Sequence, residues 1–128
     1  MVERNHKYLE TAMSLVVKEP KLETRVACRN LWNLFALDYK CPKALARFSQ
    51  VIIDAKPEEL NEMDIANSLR AFATFEHVDY ACLEKLIKCT IIKIISFNTR
   101  SHASILSSLA DLDIHNPTLL TISKEIIL

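Results

Sequence analysis

The chain has 128 residues, no glycine, and 16 basic against 16 acidic side chains. That length gives one domain with a real core, and a composition half hydrophobic and a quarter charged excludes a disordered polypeptide. The lack of glycine excludes glycine-rich phosphate loops and dinucleotide fingerprints and leaves the turns to Pro, Asn and Asp, while zero net charge counts against RNA as the sole partner.

The first twenty residues lack the continuous apolar core of a signal peptide, and Glu3, Glu10 and Glu19 beside Arg4 and Lys7 make a poor mitochondrial presequence. Residues 6–17 read as a lone helix with Leu9, Met13, Val16 and Val17 on its apolar face. It resembles the second helix of a truncated unit, and Glu19-Pro20 ends it, because a residue before proline is pushed out of the α region.

Three copies of one pattern follow. Leu22, Leu60 and Phe97 mark them, 38 and then 37 residues apart. The same offsets relate Cys28, Ala66 and Ala103, then Leu31, Leu69 and Leu106, then Leu34, Phe72 and Leu109, and finally Leu45, Leu83 and Leu120. Thr24, Asn61 and Asn98 are N-cap types for the first helix of each unit. The expected apolar stripes are Ala27, Leu31, Leu34 and Phe35, then Ile65, Leu69, Phe72 and Ala73, then His102, Leu106, Leu109 and Ala110. Second helices open at Pro42, after Asp79, and at Asn116-Pro117, where proline at the first helical position loses no hydrogen bond. Their buried rows include Leu45, Phe48 and Ile52, and then Leu83, Leu86 and Thr90. Asp54 to Glu59 is the longest connector.

A period of this length specifies stacked helical hairpins. The expected fold is all-α, a right-handed α-solenoid of about seven helices without strands. Residues 1–20 form a partial unit or cap, and 21–59, 60–96 and 97–128 form units 1 to 3 of a single domain. The end carries Ile122, Ile126, Ile127 and Leu128 without a polar capping helix, so another chain or a continuation of this one is expected to cover these four, a neighbouring protein subunit being the partner expected there and a frayed tail the alternative.

Cys28, Cys41, Cys82 and Cys89 form no C-x-x-C pair, and are expected to be reduced and mostly buried. No metal set, cofactor motif or catalytic signature is present, so the reading is non-enzymatic, with no cofactor. His102 on the stripe reads as a hydrogen-bonded core histidine, and Asp111 and Asp113 as marks of a hairpin turn. The longest apolar stretch, Cys89 to Phe97, is broken by Lys93 and too short to span a bilayer.

The string "ANSLRAFATF", with "CRNLWNLFAL" before it and "ASILSSLADL" after, resembles the heptatricopeptide and octotricopeptide repeats that accompany RAP domains in organellar RNA-binding proteins, and related FAST-kinase-like arrays. Ala66, Asn67, Leu69, Ala71, Phe72, Ala73 and Phe75 carry it in the middle unit. Asn30, Leu31, Trp32 and Leu37 carry it in the first, and Ala103, Leu106, Leu109, Ala110 and Leu112 in the third. The resemblance covers residues 20–128 and implies binding to rRNA or other single-stranded RNA in mitochondria or plastids, heptatricopeptide arrays being associated with apicomplexan parasites. No RAP domain is visible in the chain. The most concrete form is a small structural subunit of a divergent mitochondrial ribosome. The rivals are a protein–protein scaffold without RNA contact and, for location, the cytoplasm.

If RNA binds, the polar face of the first helices is the expected surface. It offers Arg25, Arg29, Trp32 and Asn33 in unit 1, Asn67 and Arg70 in unit 2, and Arg100, Ser104 and Ser107 in unit 3. Arg holds phosphates, Asn pairs with base edges, and an exposed Trp stacks on a base. A second basic row, Lys43, Arg47, Lys85, Lys88 and Lys93, lies on the later helices, with Arg47 and Lys85 one repeat apart. For both rows a solvated helix face is the alternative, and Trp32 is also a candidate packing residue between units.

Overall fold

The computed structural model describes residues 2–127, with side chains from Lys7 to Ile126. Among the described residues there are seven α-helices and no strand: α1 (Val2–Val17), α2 (Thr24–Ala36), α3 (Pro42–Asp54), α4 (Glu62–Thr74), α5 (Tyr80–Lys93), α6 (Thr99–Asp111) and α7 (Pro117–Ile127). Short 3-10 turns at Pro57–Glu59 and Ile94–Ser96 follow α3 and α5. The first lies in the connector expected from sequence; the second ends the apolar stretch that α5 opens. Helix α1 runs four residues further toward the N-terminus than its apolar face suggested.

The helices form two rows. Helices α2, α4 and α6 pack side by side in the first, and α1, α3, α5 and α7 in the second. Helix α3 lies against α2, and α5 against α4. Each unit therefore touches only its neighbours, as the repeat requires. The core runs along the seam. Leu31, Leu34, Leu45, Phe48, Ile52, Leu69, Phe72, Leu83 and Leu86 are among its fully or almost fully buried side chains, each contributing about 1.5–3 kcal/mol of apolar burial.

Caps set the helix starts. Asn61 accepts from the Asp64 N–H at 2.7 Å while Asp64 accepts from the Asn61 N–H at 3.4 Å, a reciprocal box that satisfies two otherwise unpaired donors. Asn98, Asp79 and Asn116 accept in the same way from the N–H groups of Ser101, Cys82 and Leu119. Thr24 departs from expectation. Glu23 holds the N-cap position, without a side-chain cap, and Thr24 is the first helical residue. Its hydroxyl donates to Glu59 at 3.2 Å, which takes it away from the local backbone.

Helix ends solve the missing-glycine problem in one repeated way. Asp38, Glu76 and Asp113 take positive φ of 50°, 53° and 57°. They stand 38 and 37 residues apart. After each, the next N–H reaches back to a carbonyl five residues earlier: Tyr39 to Leu34, His77 to Phe72, Ile114 to Leu109. This is the Schellman geometry that glycine usually serves. Asp was expected at such turns; Glu76 was not.

The third unit corrects the stripe expected for it. Ile105 is fully buried, Leu106 only half so, and Ala103 and Ala110 are exposed. On α7, Leu119 is buried while Leu120 is 51% exposed. No helix packs on the far side of α6 and α7 among the described residues, so the side that faces a next unit in α2 and α4 meets solvent here. No helix is long and apolar enough to cross a membrane, among the described residues.

Candidate nucleic-acid interface

The repeat places the sequence-predicted residues in register. Arg25, Met63 and Arg100 are equivalent; so are Arg29, Asn67 and Ser104, and Trp32, Arg70 and Ser107. Spacings of four and then three residues put each set on one face of its helix. Since α2, α4 and α6 are neighbours, three such faces make one surface. Arg25, Arg29, Trp32, Asn33, Arg100 and Ser107 are exposed on it; Asn67, Arg70 and Ser104 are half-buried. Trp32 is 40% exposed and stacks obliquely on Phe35, ring centroids 5.0 Å apart.

The charge on this surface is uneven. Arg70 is held by the next unit: its guanidinium donates to Asp111 at 3.0 Å and to the Ser107 hydroxyl at 3.2 Å. Arg25 and Arg29 lie within electrostatic reach of Asp64. Burial pushes the Asp64 carboxyl upward, while the Asn61 N–H and the cations Arg25, Arg29 and Lys93 pull it back. Exposed Met63 interrupts the basic positions between Arg25 and Arg100. Basic and aromatic character is therefore concentrated on α2.

Three cations of the second basic row, Arg47, Lys85 and Lys93, tie the fold together. Arg47 donates to the Glu19 carbonyl at 3.0 Å, just past the end of α1. Lys85, its repeat equivalent, donates to the carbonyls of Ile53, at 3.1 Å, and Ala55, at the end of α3. Lys93 donates to the carbonyls of Pro57 and Leu60. Each cation meets the negative end of a preceding helix or turn, where carbonyls lack intrahelical donors. Lys88 pairs with Glu84 one turn earlier, at 3.1 Å and in the open; Lys43 is exposed. Sequence reasoning saw the spacing of Arg47 and Lys85 but not this role. No local signal was available, because the carbonyls they meet lie 28 and 32 residues earlier in the chain.

The buried polar groups lock elements together. His102 is a core residue, with Nε2 2.7 Å from Ser123 Oγ, joining α6 to α7 as expected of a stripe histidine. His77 Nε2 lies 3.1 Å from Ser49 Oγ and joins α3 to the α4–α5 turn. Burial lowers both histidines' affinity for a proton. Ser49 is fully buried and His77 half-buried, so the pair lies at the seam between the two elements. All four cysteines are free thiols; Cys28, Cys82 and Cys89 are buried and Cys41 is half-buried. Burial pushes Cys28 to about 11 and Cys82 to about 12, so neither is a thiolate at neutral pH.

At the C-terminal end, Ile122 is half-buried and Ile126 is 43% exposed. Leu128 and the Ile127 side chain lie outside the described residues. A cavity of about 100 Å³ opens between α6 and α7, lined by Leu106, Leu109, Ile114, Leu119 and Leu120 among others.

No family model, curated protein or solved structure matches this chain.

Proposed function

We propose that this is a non-catalytic helical-repeat protein that binds single-stranded RNA in an organelle, most concretely as a small structural subunit of a divergent mitochondrial ribosome. The observation that carries the reading is the exposed α2 face. It presents Arg25, Arg29 and Trp32 at helical spacing beside Asn33, with Arg100 two helices away on the same surface. Two cations beside an aromatic ring suit a phosphate backbone with a stacked base. The organelle comes from the resemblance of the repeats to heptatricopeptide and octotricopeptide arrays. Neutral charge suits a subunit that shares its RNA contact with neighbours.

A labelled mixed single-stranded RNA tests this by fluorescence anisotropy across a salt series. Three arginine–phosphate contacts give a log–log salt slope of about −2. Replacing Arg25, Arg29 and Arg100 together with alanine should remove most of that slope, and Trp32→Ala should weaken binding by about 1–3 kcal/mol. Arg70 stays untouched, because its loss disturbs the contact with α6. Unchanged affinity in the triple variant would remove this face from the site.

A protein–protein scaffold is the second reading. It is favoured by the engagement of Arg47, Arg70, Lys85 and Lys88 in contacts within the chain, and by the apolar side chains open at the C-terminal end. Absence of RNA binding at low salt by folded protein would leave this reading standing.

A further inference from the structure

Units 1 and 2 finish the same corner of the hairpin differently. In unit 2, Lys85 and Lys93 between them meet the carbonyls of Ile53, Ala55, Pro57 and Leu60, two cations on four acceptors. The 38-residue offset that relates Leu45 to Leu83 and Phe48 to Leu86 also relates Arg47 to Lys85 and Ala55 to Lys93. Unit 1 therefore keeps one of the two cations. Arg47 meets the carbonyl of Glu19, the equivalent of Pro57. The carbonyl of Leu22, the equivalent of Leu60, accepts no hydrogen bond among the described residues. Ala55, the C-cap of α3, has no side chain long enough to cross to it. Ala55, Leu22 and Arg47 all line one open cavity of about 350 Å³. Its charged lining is Lys21 and Arg47 against Glu23, Asp54 and Glu59, a balance of two minus three, or −1.

We propose that this cavity binds a primary ammonium group on an unbranched alkyl chain, such as a free polyamine or a lysine side chain of a neighbouring protein carries. The chain's own Lys93 is the precedent, since its ammonium sits against the equivalent carbonyl in unit 2. An ammonium has three donors to place. The Leu22 carbonyl and the exposed carboxylates of Glu23 and Asp54 are the acceptors for them; Glu59 is already engaged by the Thr24 hydroxyl and the Lys56 N–H. The alkyl stem has Pro20, Leu22, Val51 and Ala55 to lie along, as the methylenes of a lysine do on apolar surface. A metal ion suits the place less well, because among the described residues no three His, Cys, Asp or Glu side chains are grouped to hold one. An anion is disfavoured by the negative balance. None of Arg25, Arg29, Trp32 or Arg100 lines the cavity, so the proposal stands apart from RNA binding on the α2 face.

The probe is n-butylammonium, the lysine side chain alone, titrated into the full chain and followed by amide NMR spectra. The amides of Leu22, Thr24 and Ala55 should shift saturably, with a Kd on the order of 1 mM, a range open to so small a ligand. Butyltrimethylammonium keeps the charge and the chain but donates no hydrogen bond, and should bind at least about tenfold more weakly. Ala55→Lys supplies the ammonium from within the chain and should abolish the shifts. Glu23→Gln with Asp54→Asn, both at exposed positions, should weaken binding by about tenfold while leaving the circular dichroism spectrum unchanged. Lys93→Ala should open the equivalent place in unit 2 and add a second set of shifts at Leu60 and Glu62. Spermidine binding at least about tenfold more tightly than Nα-acetyl-lysine amide would assign the site to a free polyamine, and equal binding to a lysine side chain. Equal binding of the quaternary control, or shifts that never saturate, overturns the proposal. So does undiminished binding in both the Ala55→Lys and the carboxylate variants. Inorganic phosphate shifting the same amides in place of the amine would make this an anion site and also overturn it.

Discussion

Helices α4 and α6 carry the same repeat, yet α4 buries seven side chains and α6 buries four. The difference lies in position within the array. Helix α4 has a first-row neighbour on each side, whereas α6 has one. Equivalent residues diverge accordingly: Ala66 and Ala73 are buried, while Ala103 and Ala110 are exposed. A repeat motif therefore fixes which way a side chain points, and the neighbours decide whether that direction is core. The third unit also differs chemically, since His102 takes the position held by Ala27 and Ile65 in the others.

The largest effect should come from emptying the middle. Phe72→Ala should cost about 3–5 kcal/mol of stability, and Leu109→Ala, its equivalent in α6, about 2–3, both read from urea unfolding. Equal losses would show that α6 is as well enclosed as α4. Acid should come next and act on the third unit. Burial lowers the proton affinity of His102 below that of the unfolded chain. Above about pH 6.5 both states are neutral there and stability is at its full value. As pH falls below that, the unfolded chain takes up a proton that the folded one resists, and stability drops until the folded pKa is passed. His102→Ile should flatten that part of the profile, the remainder belonging to His77, which shifts in the same direction. An unaltered profile would take His102 out of the acid response.

Two smaller changes sharpen the comparison. Glu76→Gly should raise stability by about 1 kcal/mol, because a Cβ at positive φ is strained. Asp38→Gly and Asp113→Gly should gain less, since Asp tolerates that region better; thermal midpoints give the order. Arg70→Ala and Asp111→Ala should each cost less than about 1 kcal/mol, because the bridge between units is partly solvated. A double-mutant cycle larger than that would mean the second and third units are joined mainly by this pair.

The helices were legible because each is specified within its own dozen residues, by a stripe such as Ile65, Leu69 and Phe72 and a cap such as Asn61 or Asn98. Glu23 as a cap was not legible, because the better-suited Thr24 beside it is drawn to Glu59, 35 residues on. Glu76 at positive φ was missed because its own preference opposes the conformation and the hairpin overrides it. On the candidate site, the α2 face could be read from spacing alone. The ties of Arg47, Lys85 and Arg70 could not, since their partners lie 28 to 41 residues away and meet only once units stack.

Contacts that run only between adjacent units have a kinetic consequence. Opening need not be global: a terminal hairpin can detach while the rest stays paired. Amide hydrogens of α4 should exchange slowest, and those of α7 faster, having one packed neighbour unit instead of two. A partner seated at one end would slow exchange there first, with protection fading unit by unit toward the other end. The decay of that protection along the chain would reveal which end is occupied before the partner itself is identified.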